Sequence, residues 1–314
     1  MMLSVVVPIY NERENIKPMI EALKSNLNKY DYEIIFVDDG SIDGTIEEVE
    51  SHLDQKTKLI QLSRNFGQTS AMAAGIASAN GEYIVTLDGD LQNDPSDIPM
   101  MLDKLITNKV DMVAGRRANR RDGALLRKFP SKVANFIIRK ISGVDLKDYG
   151  CTLKVFKRDL AVKLDLYGEL HRFIPILAHM KGGKILEVDV KHHSRQFGKS
   201  KYGIGRTMKV VSDLFLMMFM LKYRQKPMHL FGTLGVGSLS ISFLIAIYLF
   251  FLKIIGQSIT DKPLFYLFII LVIASLQLIT TGFLAELVMR TYYESQNKKP
   301  YEIARKLGKF DNDA

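Results

Sequence analysis

The 314-residue chain has no tryptophan and a single cysteine, Cys151. One cysteine excludes an intrachain disulfide, and such a chain fits a reducing compartment. Two nucleotide-binding signatures are missing as well. No Gly-x-Gly-x-x-Gly follows the first apolar run, and no Gly-x-x-x-x-Gly-Lys-Ser/Thr loop occurs. Rossmann dinucleotide binding and P-loop chemistry thereby lose their most specific markers. Acids are the minority sign, 34 against 43 lysines and arginines, for a net charge of +9. That balance points to anionic partners such as nucleic acid, lipid headgroups or phosphorylated substrates. Charged side chains are missing altogether from 227–252 and 263–285. Met1–Tyr10 is apolar but lacks a basic flank and a small-residue cleavage site, so it reads as a strand and not a signal peptide.

What is present is organised around Leu87–Pro95, which reads Leu-Asp-Gly-Asp-Leu-Gln-Asn-Asp-Pro. The apolar run Tyr83–Leu87 ends there in two carboxylates, Asp88 and Asp90, with the amide of Gln92 two residues further on. Oxygen ligands at i and i+2 suit one hard divalent cation, Mg²⁺ or Mn²⁺, shared with substrate phosphates. Upstream, Leu3–Pro8, Glu33–Val37 and Lys58–Leu62 are further buried strands, and Asp111–Ala114 is a fifth. Helices are expected from a cap at Asn11 through about Asn28, and over Thr45–His52, Thr69–Ala79 and Asp97–Asn108. Alternation of this kind implies an α/β fold with a mostly parallel, Rossmann-like sheet covered on both faces. Ligands then bind at the carboxyl ends of the strands, where Asp38–Ser41, Arg64–Gln68 and Asp88–Gln92 all fall.

Beyond Gly115 the chain turns basic, with Arg116, Arg117, Arg120, Arg121, Arg127 and Lys128 against one acid, Asp122. Arg117, Arg127 and Ser131 together can grip a phosphate, since guanidinium forks match its geometry. A strand is expected from Asp148 through Phe156, a helix from Glu169, a strand over Lys184–Val190, and a second basic loop through His192–Arg195 and Gly198–Tyr202. Ile204–Tyr223 has the pattern of an interfacial helix. The two uncharged stretches are each long enough to cross a hydrocarbon core of roughly 30 Å, and the excess of positive charge on their outer flanks puts both termini in the cytoplasm.

Taken in order, Val-Pro-Ile-Tyr-Asn-Glu at 7–12, Val-Asp-Asp-Gly-Ser at 37–41, Arg-Asn-Phe-Gly-Gln at 64–68 and Leu-Asp-Gly-Asp-Leu-Gln at 87–92 form one series. Leu-His-Arg-Phe-Ile-Pro at 170–175, Arg195 with Gly-Lys-Ser-Lys-Tyr at 198–202, and the two-helix tail continue it. In these elements the chain resembles family 2 glycosyltransferases that load a sugar onto polyprenyl phosphate, such as dolichyl-phosphate mannose synthases and the undecaprenyl-phosphate glucosyltransferases of O-antigen modification. The resemblance implies a nucleotide-sugar-binding fold of the GT-A type and a metal held by Asp88, Asp90 and Gln92. It places Pro8, Tyr10, Glu12, Asp38, Asp39, Gly67 and Gln68 at the nucleotide, Arg117, Arg127 and Ser131 at the lipid phosphate, and Arg195 and Lys201 over the donor diphosphate. Gly89 stands where such enzymes often have alanine.

The implied organisation is a cytoplasmic catalytic domain at 1–203, a juxtamembrane helix at 204–226, two membrane helices within 227–290 (about 229–252 and 264–287) and a basic tail at 291–314. The expected reaction is a single inverting displacement from a nucleotide diphosphate sugar onto undecaprenyl phosphate, with UDP-glucose favoured by resemblance, UDP-N-acetylglucosamine, UDP-galactose, GDP-mannose and modified aminosugars open, and Asp148 as base or orienting carboxylate. The partners are then nucleotide sugar, lipid phosphate, bilayer and further copies of the chain, a tetramer by resemblance, with no nucleic acid. A processive polysaccharide synthase would carry a Gln-x-x-Arg-Trp motif, which a chain without tryptophan cannot. A non-catalytic scaffold on a decayed transferase fold would not be expected to keep Asp88, Asp90, Gln92, Arg195 and Lys201.

Overall fold

A computed structural model describes residues 1–117, 139, 144–197, 219, 223, 227–295 and 303–307. Contacts divide the chain into two units, Met1–Phe215 with Lys299–Ala314, and Leu216–Lys298. In the first, strands β1 (Met2–Ile9), β2 (Asp31–Asp38), β3 (Thr57–Leu62), β4 (Tyr83–Thr86), β5 (Met112–Arg117), β6 (Lys154–Lys157), β7 (Ile185–Val190) and β8 (Ile303–Leu307) make one sheet. Its spatial order is β7-β5-β6-β4-β1-β2-β3-β8. The β4-β1-β2-β3 core is parallel, as is the β5–β7 pair, whereas β6 runs antiparallel between β4 and β5. The antiparallel β8 covers β3, removing an open edge that would otherwise invite pairing with another chain.

The helices of this unit are α1 (Arg13–Leu27), α2 (Thr45–Glu50), α3 (Gln68–Ala77), α4 (Ile98–Thr107), α5 (Arg158–Ala161) and α6 (Ile174–Met180). Side chains alternate across a strand, so neighbouring residues of β1 serve opposite faces. Leu3, Val5 and Val7 enter the core formed with Ile16, Met19, Ile20 and Leu23 of α1 and Met101, Leu102 and Leu105 of α4. Val6 meets α3 at Gly75, where an added Cβ would also come within 3.0 Å of Val37 Cγ2. The small residues of α3 thus let it lie close on the sheet, which sets its first residue, Gln68, at the carboxyl ends of the strands.

Two local expectations change. Asn11 does not cap α1, which starts at Arg13. Its carbonyl oxygen Oδ1 instead accepts from the Ile42 amide at 2.9 Å, while its own amide donates to Ser41 Oγ at 2.8 Å. A partner in the loop after β2 has outcompeted the helix end. The strand expected from Asp148 begins only at Lys154. The amides of Lys147 and Asp148 turn aside to Glu187 Oε1, at 2.8 and 2.9 Å. Arg127, Ser131 and Lys201, most of the expected interfacial helix at 204–226 and most of the tail lie outside the described residues.

The second unit holds α7 (Pro227–Ile254) and α8 (Pro263–Ser295), and Pro227–Ile254 and Pro263–Val288 are long and apolar enough to cross a membrane. Large apolar side chains such as Leu244, Phe250 and Leu284 are exposed, Phe250 by 67%. Water would penalise that surface and lipid does not. The two helices touch through small residues: a Cβ on Gly235 would lie 3.1 Å from the Ser275 carbonyl, and Ser238 Oγ donates to the Leu271 carbonyl at 3.2 Å. Close backbone approach and interhelical hydrogen bonds substitute for the hydrophobic drive that lipid removes.

Candidate active site

Four loops at the carboxyl ends of β1 to β4 define a cleft. The turn after β2 is built by Asp38, whose Oδ2 accepts from the amides of Gly40 and Ser41, both at 3.0 Å. Gly40 has φ +80°, and an added Cβ would lie 2.8 Å from the Asn65 amide nitrogen, so only glycine lets this turn nest against the loop after β3. Asp39 then joins the two loops, accepting from the Phe66 amide at 2.7 Å and the Gly67 amide at 2.9 Å. Burial raises the pKa of both aspartates, partly opposed by those amide bonds.

From β4, Asp88 and Asp90 reach the cleft floor. Gln68 Nε2 donates to Asp88 Oδ1 at 2.6 Å, and the Gln92 amide donates to Asp90 Oδ1 at 3.1 Å. A Cβ at Gly89 would sit 2.7 Å from Ile9 Cγ2, which accounts for glycine rather than alanine in this chain. The fifth wall comes from far along the sequence. The segment after β7 runs beside the loop after β4, with a bridge between Asn93 and His192, the His193 amide on the Gln92 carbonyl at 2.8 Å, and the Lys191 amide on Asp97 Oδ2 at 2.7 Å. This strap delivers Arg195, whose Nη2 donates to Asp90 Oδ2 at 2.7 Å and whose Nη1 donates to Glu12 Oε1 at 3.2 Å.

The resulting cleft, about 220 Å³, is lined by Pro8, Ile9, Tyr10, Glu12, Asp39, Asn65, Gly67, Gln68, Ala71, Asp88, Gly89, Asp90 and Arg195. Ten residues singled out in the sequence therefore meet in one place. Ile9, Asn65 and Ala71 were not singled out, although Asn65 lies inside the Arg64–Gln68 stretch. Asp38 does not line the cleft, because it is fully buried and spent on its own turn. Gln92 is also outside the lining, its Nε2 turned toward the His193 carbonyl at 3.5 Å.

Arg117 and Asp148, expected at the lipid phosphate and as a base or orienting carboxylate, meet as a pair. Arg117 Nε and Nη2 form a fork onto Asp148 Oδ2 and Oδ1 at 2.7 and 2.9 Å, and the amides of Arg117 and Gly150 also donate to that carboxylate. With both oxygens engaged, this carboxylate holds the Arg117 fork in place, the geometry of an orienting carboxylate. Arg117 in turn has only part of its guanidinium left for a phosphate.

Asp88 and Asp90 fit a divalent cation by the chemistry of the donor set. Burial and the neighbouring charge of Asp90 push Asp88 up to about 6, and burial raises Asp90 against the opposing pull of the Gln92 amide and Arg195. Two crowded carboxylates gain by sharing a cation. Among the described residues no three His, Cys, Asp or Glu side chains converge as a full ligand set. Two carboxylates suffice for a cation that shares its coordination with substrate phosphates. A pH dependence follows, with Asp88 protonated below its pKa and open to a cation above it. Divalent-cation affinity is expected to be flat above pH 6 and to fall by up to about tenfold per unit below it, as read by Mn²⁺ titrations from pH 5 to 8.

Residues 4–164 match the model of the family described as Glycosyl transferase family 2. The dodecaprenyl-phosphate galacturonate synthase of Rhizobium johnstonii is 44% identical over 97% of this chain and 92% of that protein. The undecaprenyl-phosphate 4-deoxy-4-formamido-L-arabinose transferase of Photorhabdus laumondii is 36% identical over 97% and 94%. Among solved structures, glucosyl-3-phosphoglycerate synthase from Mycobacterium tuberculosis, in complex with Mn²⁺ and UDP-glucose, superposes with a TM-score of 0.56 at 18% identity, covering 69% of this chain and 78% of that one. That likeness speaks for the fold alone. By family match and by near full-length relatives, the chain belongs to glycosyl transferase family 2, among the glycosyltransferases that act on polyprenyl phosphate.

Proposed function

We propose that the cleft binds a nucleotide diphosphate sugar with a divalent cation and passes the sugar, with inversion, to polyprenyl phosphate at the cytoplasmic membrane face. The observation that carries this reading is the meeting of Asp88, Asp90 and Arg195 beside Pro8, Tyr10 and Asp39. The cation, Mg²⁺ or Mn²⁺ at Asp88 and Asp90, supplies charge neutralisation of the departing diphosphate. Arg195 contributes the same kind of stabilisation by moving from Asp90 onto the phosphates, and Lys201 is its expected companion. The bond from the sugar anomeric carbon to the nucleotide phosphate oxygen breaks as a lipid phosphate oxygen bonds to the opposite face. A phosphate monoester with a second pKa of about 6 is largely dianionic at neutral pH, so no proton has to be removed from it. The paired state of Asp148 is consistent with a reaction that needs no base. Two membrane helices with both ends in the cytoplasm would keep the cleft where the lipid phosphate and soluble nucleotide sugars meet.

The expected glucose gives way to the sugars of the relatives, galacturonate or a formamido-arabinose, with galacturonate favoured by the higher identity. A uronate brings a carboxylate that needs a cation with donors to spare. Arg172, outside the cleft lining, has them: Nη2 donates to Glu169 at 3.2 Å, while Nε and Nη1 are buried and meet no acceptor among the described residues, so a uronate would reach them only if the cleft wall opens toward them. Its neighbour His171 is tied to Thr69 Oγ1 of α3 at 2.7 Å, one residue from Gln68 in the cleft wall. Membranes holding the protein, given labelled UDP-galacturonate, UDP-glucose and UDP-4-deoxy-4-formamido-L-arabinose with undecaprenyl phosphate, are expected to label lipid from UDP-galacturonate most strongly. Arg172→Gln should reduce that preference over UDP-glucose by about tenfold, the worth of one charged hydrogen bond. Equal labelling from all three donors would contradict the assignment of the sugar.

A further inference from the structure

Lys154 stands where a central strand calls for an aliphatic side chain. It opens β6, pairs across to Thr86 of β4 and Ala114 of β5, and is only 1% exposed. Val155 and Phe156, which follow it, are ordinary core residues. Burying an ammonium is expensive unless it is paired, so its presence calls for a use. Among the described residues, the other deeply buried lysine, Lys58, has a dedicated carboxylate, Glu33, at 2.7 Å. Lys154 Nζ donates instead to the carbonyl of Cys151. Strand register brings it near the site: Thr86, its register partner, precedes Asp88 by two residues, and the charges of Asp88 and Lys154 act on each other. Burial pulls the Lys154 pKa down, while Cys151, Asp148 and Asp88 hold it up and Arg117 opposes them.

The charges around the cleft floor are therefore already compensated. Arg195 lies on Asp90, and the charges of Lys154 and of Arg117, which is held by Asp148, act on Asp88. Arg195 and Lys154 differ in kind. Arg195 sits on a strap and can transfer to an arriving diphosphate, whereas Lys154 is sealed within the sheet and cannot leave. A bare divalent cation meets a pair of carboxylates whose field is partly cancelled. A diphosphate bound with the cation would add anions of its own and offer Arg195 a partner other than Asp90.

We propose that Lys154 is a positioning residue, a fixed counter-charge to Asp88 within the sheet that suppresses uptake of a free divalent cation at the Asp88–Asp90 pair, so that the cation enters together with the donor diphosphate. This rests on reading the cleft as a metal-diphosphate site. The test is Mn²⁺ binding by the full chain in detergent, followed through the paramagnetic resonance of free Mn²⁺, with and without UDP. The unaltered protein should bind Mn²⁺ weakly alone and more tightly with UDP. Lys154→Met, of similar length and apolar, should bind Mn²⁺ alone about tenfold tighter or more, since one unit of opposing charge at short range is removed. Its gain in Mn²⁺ affinity on adding UDP should shrink in proportion. Lys154→Gln should behave alike, and thermal melting establishes that each variant folds. Folded variants that bind Mn²⁺ no tighter than the unaltered protein would overturn the proposal. So would failure of both to fold, which would make Lys154 a support of the sheet. If the unaltered protein takes up no Mn²⁺ even with UDP, the metal reading itself fails instead.

Discussion

Asp90→Asn is expected to lower sugar transfer by about 10³-fold or more, the scale on which removing one electrostatic partner of a developing charge acts. The substitution is chosen for what it leaves alone. Asparagine keeps the shape of the side chain and an oxygen for the Gln92 amide, 3.1 Å from Asp90 Oδ1. It removes the charge that holds Arg195 at 2.7 Å and that would bind a cation. Asp90 is 7% exposed and burial already raises its pKa, so neutralising it should leave the melting temperature unchanged or slightly higher. Mn²⁺-dependent UDP binding should disappear while the fold persists. Transfer within about tenfold of the unaltered protein would show that the carboxylate pair is not the metal-diphosphate site.

The second large effect concerns the pair that separates a base from a holder. Arg117 and Asp148 are only 13% and 12% exposed, and breaking a buried pair of this kind by removing one partner costs about 3 kcal/mol. Asp148→Asn and Arg117→Gln should therefore each lower the thermal stability, and each should reduce transfer by a similar factor. The double variant should be little worse than either single one, because the second substitution removes a group that has already lost its partner. A catalytic base would behave otherwise. Asp148→Asn would then abolish transfer with a pH-dependent rate loss, and Arg117→Gln would not reproduce it. The unfolding midpoint and the transfer rate, measured on all three variants, decide between the two.

Much of the first unit is legible in the chain because β-branched runs such as Leu3–Pro8 and Glu33–Val37 fill both faces of a covered sheet. The cleft is legible for a related reason: polar residues directly after such runs have nowhere to go but the sheet edge. What stays hidden depends on partners distant in sequence. Nothing near Arg117 announces that Asp148, 31 residues later, will take both arms of its fork. Asp38 and Asp39 are adjacent and alike, yet one is consumed by its own turn and the other faces the cleft, a difference set by strand pleat and loop path. Lys154-Val-Phe-Lys157 sets one lysine and one apolar residue on each face of a strand, and only insertion between β4 and β5 buries the first lysine. β8, with Arg305 and Lys306 in five residues, has little of the apolar alternation that marks a strand, and only the open edge of β3 recruits it.

The most direct test of the central claim is the configuration of the product. Detergent-solubilised protein, incubated with UDP-galacturonate, undecaprenyl phosphate and Mn²⁺, should yield a lipid-linked sugar whose anomeric configuration is inverted from that of the donor, as read by proton and phosphorus NMR. Withholding the metal should suppress the product, and single-turnover mass spectrometry should find no sugar on the protein. Retention of configuration, or a covalent sugar adduct on the chain, would contradict a single displacement between a metal-diphosphate cleft and a lipid phosphate.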